Sequence, residues 1–177
     1  MPLNTSIIKE IIILIMGPVF QVLAYFILLK IMPDQIESIK LYHYSILIFN
    51  LLPVYPLDGG KLVNLFFSLK FSFKNSFYLE ILISYLMVFL LVIVNRKNIN
   101  INLLIIVIFL LYKITKEYKQ IELFYNKFLL ERYINKYNFK HSIIINNINK
   151  FHRNKRHLLK TSNKYYLEEE ILKKIYK

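Results

Sequence analysis

The chain has 177 residues, 56% of them hydrophobic and 16% aromatic, with mean hydropathy +0.41 and a formal charge of +13. Soluble domains run at about 45–50% apolar, and three glycines with five prolines give too little turn chemistry for a β-rich fold. The absence of cysteine excludes a disulfide framework, a thiolate zinc site and a cysteine nucleophile.

Charge divides the chain in two. Residues 1–112 hold eight Lys/Arg against five Asp/Glu, and residues 113–177 hold sixteen against six. The first part is oily and nearly neutral, the second polar and basic. This profile indicates a membrane domain over 1–112 followed by a basic aqueous tail over 113–177.

A transmembrane helix needs roughly 20 apolar residues, because the hydrocarbon core is about 30 Å thick and a helix rises about 1.5 Å per residue. Ile11 to Leu29 carries no charge, and its one strongly polar residue is Gln21. It is too long for the hydrophobic core of a signal peptide, and no small-residue cleavage site follows. Ser45 to Leu69 is hydrophobic but broken by Pro53, Pro56, Asp58, Gly59 and Gly60. Tyr78 to Val94 is interrupted only by Glu80, which is expected first at the interface, with pairing to Lys74 or a place facing a cavity as the alternatives. Ile99 to Tyr112 is a short fourth span. With the tail cytoplasmic, four spans put Lys9 and the Lys70–Lys74 loop on the same side, as the positive-inside rule favours. Arg96 and Lys97 then lie opposite and must snorkel to the headgroups.

The tail opens with an amphipathic helix from Lys113 to about Lys136, in which Ile114, Tyr118, Ile121, Phe124, Tyr125, Phe128 and Leu129 recur at helical spacing. His141–Ile145 reads as a strand and Asn149–Asn154 as a helical turn. His157–Lys160 and Lys164–Leu167 form a hairpin turning at Ser162-Asn163. Glu168-Glu169-Glu170 start a last helix that ends in Lys173 and Lys174, matching the helix dipole. The element order resembles half of a cystathionine-synthase-type (CBS) regulatory module. His152 and His157, among Arg153, Lys155 and Arg156, are expected in a solvated basic patch. The interleaved Lys, Arg, Tyr and Phe suit nucleic acid. No recognition signature accompanies them, so anionic lipid headgroups are the preferred partner of the tail.

The broken span carries the chemistry. A carboxylate in an apolar segment costs a few kcal/mol, so Asp58 is a candidate functional residue. Pro53 and Pro56 remove amide donors, and Gly59-Gly60 permits a tight bend. Irregular backbone at membrane depth survives only when buried in protein or lining a wet cavity. The alternative is an ordinary surface loop with Asp58 solvated.

The string N-x-x-P-x-x-P-x-D-G-G, Asn50 to Gly60, resembles the second signature of the site-2 protease family of intramembrane zinc metalloproteases, in particular the branch of the stage IV sporulation protease. Met16-Gly17-Pro18-Val19-Phe20-Gln21 resembles the Gly-Pro element of the preceding family helix, with Gln21 where Asn is often found. Phe128–Tyr133 fits the same branch. In such proteases an H-E-x-x-H helix supplies two histidine ligands and a glutamate base, and the Asp of D-G-G is the third zinc ligand. Asp58 matches that ligand, and Asn50, Pro53, Pro56, Gly59 and Gly60 match residues lining the site. The sequence contains no H-E-x-x-H: its histidines are His43, His141, His152 and His157. The family spans bearing that motif would lie before Met1. His43, between Tyr42 and Tyr44, is read as an interfacial residue before a second ligand.

The expected fold is therefore mainly α: a polytopic membrane protein with about four hydrophobic spans, one broken at Pro53-Asp58-Gly60, and a small basic cytoplasmic α+β tail. The resemblance implies the C-terminal part of an intramembrane zinc metalloprotease of a bacterial cell membrane, hydrolysing membrane-spanning protein substrates. By itself the chain is expected to be inactive, because one carboxylate does not hold a catalytic zinc. A non-catalytic adaptor binding single-span membrane proteins is the alternative. A transporter subunit with an ion site at the broken helix is a third reading, disfavoured for want of an inverted repeat.

Overall fold

Apolar runs punctuated by short polar turns give a chain of helices, and the computed structural model describes residues 3–97, 100–135, 137, 139, 141–161 and 164–176. Helix α1 spans Ile7–Ile31 and α2 spans Ile36–Leu51, joined through a 3-10 turn at Pro33–Gln35. After an irregular stretch at 52–57 come α3 (Asp58–Lys70), α4 (Phe73–Val94) and α5 (Ile101–Asn135). The expected fourth span and the amphipathic tail helix are thus one helix, continuous through Tyr112 and Lys113. Ile99, Lys136 and the Ser162-Asn163 turn lie outside the described residues.

Two helices, α1 and α4, are long and apolar enough to cross a membrane. The most apolar stretch of α1 buries none of its residues within the protein, and Ile8, Phe20, Phe26 and Ile27 all stand exposed. A continuous apolar surface of this kind is unsuited to water and suits lipid; the chain is a mainly helical membrane protein. Its spans pack on a core of Val54, Ile81, Val88, Leu110, Ile114 and Ile121. Gln21 on α1 donates to the His43 carbonyl at 3.1 Å, and the His43 ring stacks on Tyr25 with centroids 4.2 Å apart. His43 therefore sits in an aromatic cluster between α1 and α2.

The tail forms a three-stranded sheet in the order β1 (Ser142–Ile145), β2 (Arg156–Thr161), β3 (Lys164–Leu167), followed by α6 (Glu168–Tyr176). Strand β1 runs parallel to β2, with Ile145 opposite Leu159, and β3 is antiparallel to β2, with Tyr166 opposite Leu159. The helical turn is a 3-10 turn at Ile148–Lys150. Phe73, Tyr125, Phe128, Leu129, Ile145, Phe151 and Leu172 join this tail to the ends of α4 and α5.

Arg132, at the far end of α5, organises the junction. Its guanidinium pairs with Glu168 Oε1 at 2.8 Å and donates to the carbonyls of His152, Arg153 and Lys155 and to Asn4 Oδ1. Arg153 in turn pairs with Glu10 at 2.5 Å and donates to the Leu3 carbonyl. The start of α1 is thereby tied to the tail, and Lys74 reaches Glu122 at 2.7 Å and Asn149 at 3.1 Å. Residues 3–10, the Lys70–Lys74 loop and the tail thus lie together at one end of the helices.

The expectation of a solvated patch at His152–His157 is overturned. His157 is fully buried and Arg153 nearly so. Their partners, Glu168 and Glu10, are distant in sequence, which is why local composition read as a basic surface. The His157 Nε2 accepts the His152 amide at 2.8 Å, and Nδ1 faces Glu168 Oε2 at 3.0 Å, so the neutral ring carries its proton on Nδ1.

Removing one partner of a buried pair costs about 3–5 kcal/mol, because the other charge stays buried. Arg132→Ala is expected to open residues 141–176 to limited proteolysis of the detergent-solubilised chain while α4 stays protected. Protection of the tail equal to that of the unmodified chain would contradict the role given to Arg132.

The same cluster sets a pH dependence. Burial, with Lys155 nearby, pushes His152 down to about 4, and burial lowers His157 as well. Burial alone would raise Glu168, but His157 and Arg132 outweigh it and hold the carboxyl below its usual range. The unfolded histidines take protons near about 6.5 that the folded ones refuse, and unfolded Glu168 binds a proton more readily than the folded one. Stability of the tail is therefore complete above about pH 7 and is lost progressively from about pH 6.5 towards pH 4. Hydrogen exchange of β2 amides, corrected for intrinsic rates, is expected to show that loss, and protection equal at pH 7.5 and 5 would contradict it.

Candidate functional site

Two prolines stop α2 from continuing: Pro53 and Pro56 have no amide to donate and obstruct the preceding turn. The chain breaks over residues 52–57 and resumes as α3 at Asp58 itself. Asp58 thus stands in the first turn of a helix, where a carboxylate is favoured by the helix dipole. The Tyr55–Pro56 peptide is cis.

The amides of residues 52–57 are accounted for. Leu52 N donates to Phe49 O, Val54 N to Leu52 O and Leu57 N to Val54 O, all local bonds of 2.7–3.2 Å. The remaining amide, Tyr55 N, donates to Ser84 Oγ on α4 at 2.9 Å. Buried amides need partners, and here each has one.

Gly59 and Gly60 were expected to supply a bend. Neither has a positive φ; both are buried helical residues in the first turn of α3. Their value is close approach. A Cβ on Gly59 would collide with the carbonyl oxygens of Leu51 and Leu52, and one on Gly60 would lie 2.6 Å from Tyr55 N. Absence of side chains lets α3 start directly against the end of α2.

The two motif segments read from the sequence meet at Asp58. The position of a Cβ on Gly17, in α1, is 3.6 Å from Asp58 Oδ2. Pro18, beside Gly17, interrupts the amide ladder of α1 at this level. Asp58 Oδ1 lies 3.5 Å from Lys61 Nζ, with both side chains partly exposed. Asn50, the penultimate residue of α2, and Pro53 and Pro56 in the break are all half-buried.

Lys61 also lines a cavity of about 310 Å³ together with Tyr55, Asn64, Glu80, Glu117 and Glu10 of α1. Glu80 was expected at the interface. It is 2% exposed and accepts from Asn64 Nδ2 at 2.8 Å, whereas Lys74 pairs with Glu122. A carboxylate so deep in an apolar helix is tolerated because Asn64 hydrogen-bonds it. Glu117 is 6% exposed and stands beside the Tyr55 phenol in the lining of the same cavity.

Tyr55, Ser84 and Glu117 were missed by sequence reasoning. One signal was present. Leu110, Ile114, Ile121, Tyr125 and Phe128 form the buried stripe of α5, and Glu117 falls on that stripe where the sequence reading had placed Tyr118, which is exposed.

The donor set does not fit a catalytic zinc on this chain's residues alone. Such sites take three protein ligands. Among the described residues no three His, Cys, Asp or Glu side chains gather as a metal site, and the groups beside Asp58 are Gly17 and Lys61.

A broken, carboxylate-bearing helix set against an apolar helix defines a helical membrane protein with a polar break among its apolar helices. Over 102 residues, 56% of this chain, the sequence is 36% identical to Stage IV sporulation protein FB of Bacillus subtilis (strain 168). The chain spans 35% of the length of that relative. No family model matches.

Glycine in the first turn of α3 is more constrained than glycine in α1. Gly59→Ala forces backbone apart and is expected to cost at least the ~1–3 kcal/mol of an overpacked core. Gly17→Ala meets Asp58 at ordinary contact distance and should be tolerated. Thermal unfolding in detergent checks this, and equal midpoints for the two variants would contradict the close approach at Gly59.

Proposed function

We propose that this chain is part of a site-2-type intramembrane metalloprotease, in which Asp58 is one of three zinc ligands. The two histidines and the glutamate base come, in this reading, from an H-E-x-x-H segment outside these 177 residues. Its substrates are membrane-spanning proteins, hydrolysed at a peptide bond near the break. The observation that carries the reading is the meeting of Gly17 and Asp58: the two separate segments that resemble the family are in contact. The 36% identity to Stage IV sporulation protein FB supports the same branch.

Each residue has a definite part. Asp58 presents a carboxylate beside a helix with no side chain at position 17. Gly59 and Gly60 let that carboxylate stand at the start of α3, and Pro53 and Pro56 keep the preceding backbone from closing over it. Asn50 lines the same break. The site lies in the membrane of a bacterial cell, with the tail cytoplasmic. Lys116 and Lys119, exposed where α5 leaves its apolar stretch, favour anionic headgroups at about 1 kcal/mol per basic residue near the surface.

The test has two parts. The DNA upstream of the Met1 codon is sequenced, and the native protein is sized against 21.4 kDa. The chain is then expressed with an H-E-x-x-H segment, and cleavage of a single-span reporter and bound zinc are measured. Asp58→Asn is expected to lower cleavage by more than about 100-fold, beyond what loss of an outer-shell partner gives, and to lower zinc content in parallel. Cleavage unchanged by Asp58→Asn would sink the reading.

A second reading, a non-catalytic membrane adaptor, is favoured by Lys61, whose ammonium stands 3.5 Å from Asp58 Oδ1 and competes with a metal for that carboxylate. It requires that a single-span protein co-purify with the chain and survive Asp58→Ala. Absence of any membrane partner on crosslinking would end it.

A further inference from the structure

We infer that Tyr55 is the positioning residue of this site: Ser84 grips its amide, Glu117 stands beside its phenol, and together they set where Asp58 points. The inference rests on the reading of Asp58 as the functional carboxylate and adds the device that aims it.

The argument begins with the amides of the break. Three of the four close locally, and the prolines have none to offer. Tyr55 is the residue whose amide leaves the loop, and its acceptor is a hydroxyl on another helix. Ser84 is fully buried, and its own proton goes to the Glu80 carbonyl at 2.8 Å. That bond leaves the oxygen free to accept and fixes its direction.

The side chain of Tyr55 shares a cavity lining with Glu117 on α5, and the two stand close enough to interact. One contact would allow the loop to swivel; two, on different helices, remove that freedom. Tyr55 stands three residues before Asp58, and Gly60 packs its Cα against the Tyr55 amide. Movement of Tyr55 therefore passes directly into the first turn of α3. Val54, 1% exposed in the core, anchors the other side.

The chain has no cysteine, so paired cysteines report geometry without background. The full chain carrying Gly17→Cys and Asp58→Cys is reacted in membranes with a short bifunctional methanethiosulfonate, and the crosslinking rate is followed. Ser68→Cys with Ser76→Cys serves as control, since those hydroxyls are 3.0 Å apart on α3 and α4. Ser84→Ala, Glu117→Ala and Tyr55→Phe are each expected to slow the 17–58 crosslink about tenfold, the scale of one hydrogen bond with a charged or buried partner. The control pair should keep its rate, and Glu117→Gln, which keeps an acceptor beside the phenol, should restore the 17–58 rate. An unchanged 17–58 rate in the alanine variants, failure of Glu117→Gln to restore it, or an equal fall in the control pair would each overturn the inference. Because no cleavage is measured, these outcomes are independent of whether Asp58 proves to be a zinc ligand.

Discussion

A backbone that breaks among apolar helices must find acceptors for the amides it frees, and within residues 52–57 this chain meets that demand largely from the loop itself. Two of the six residues in the break are prolines, which free none, and three of the remaining amides bond within four residues. Within residues 52–57 the amide that reaches outside the loop is that of Tyr55, and Ser84 accepts it. In hydrocarbon an unsatisfied group costs several kcal/mol, so this economy is what allows a helix to be interrupted at Asp58. The carboxylate, the glycines behind it and the glycine opposite it all take their places from that interruption.

The rest of the molecule ties the break to the tail. Helix α5 touches the break through Glu117 and the tail through Arg132, and it is one continuous helix between them. Arg132 donates to Asn4, and Arg153 holds Leu3 and Glu10, so the start of α1 and the end of α5 meet in one buried polar cluster with the tail. Helix α1 carries Gly17 some turns further along. The two walls of the site, α1 and α3, are therefore referred to the same buried cluster, although that cluster lies at one end of the helices.

Much of this was legible in the sequence, for stated reasons. Apolar length located α1 and α4, the proline spacing located the break, and acids followed by bases located α6. The meeting of Gly17 with Asp58 was not read from the sequence, and geometry supplied it. What could not be read were contacts between residues far apart in the chain. Glu80 looked interfacial because its partner Asn64 lies on another helix, and His157 looked solvated because Glu168 comes from α6. The glycines were read as conformational freedom when their use is close packing, a distinction that depends on which backbone lies opposite. The short fourth span and the tail helix looked like two elements because charge begins at Lys113; a helix can leave an apolar environment for a polar one without changing its backbone.

The central claim is that position 58 stands at the depth of the apolar helices, away from either end. Depth is measured directly by a nitroxide attached to a single cysteine at 58 in lipid bilayers, with labels at the exposed Lys30 and Lys70 as references for the two ends, using power saturation by oxygen and by a water-soluble nickel chelate. The account predicts a depth at 58 between those of the two references and well inside the headgroups. A label at 58 as accessible to nickel as either reference would place Asp58 in a surface loop and contradict the account.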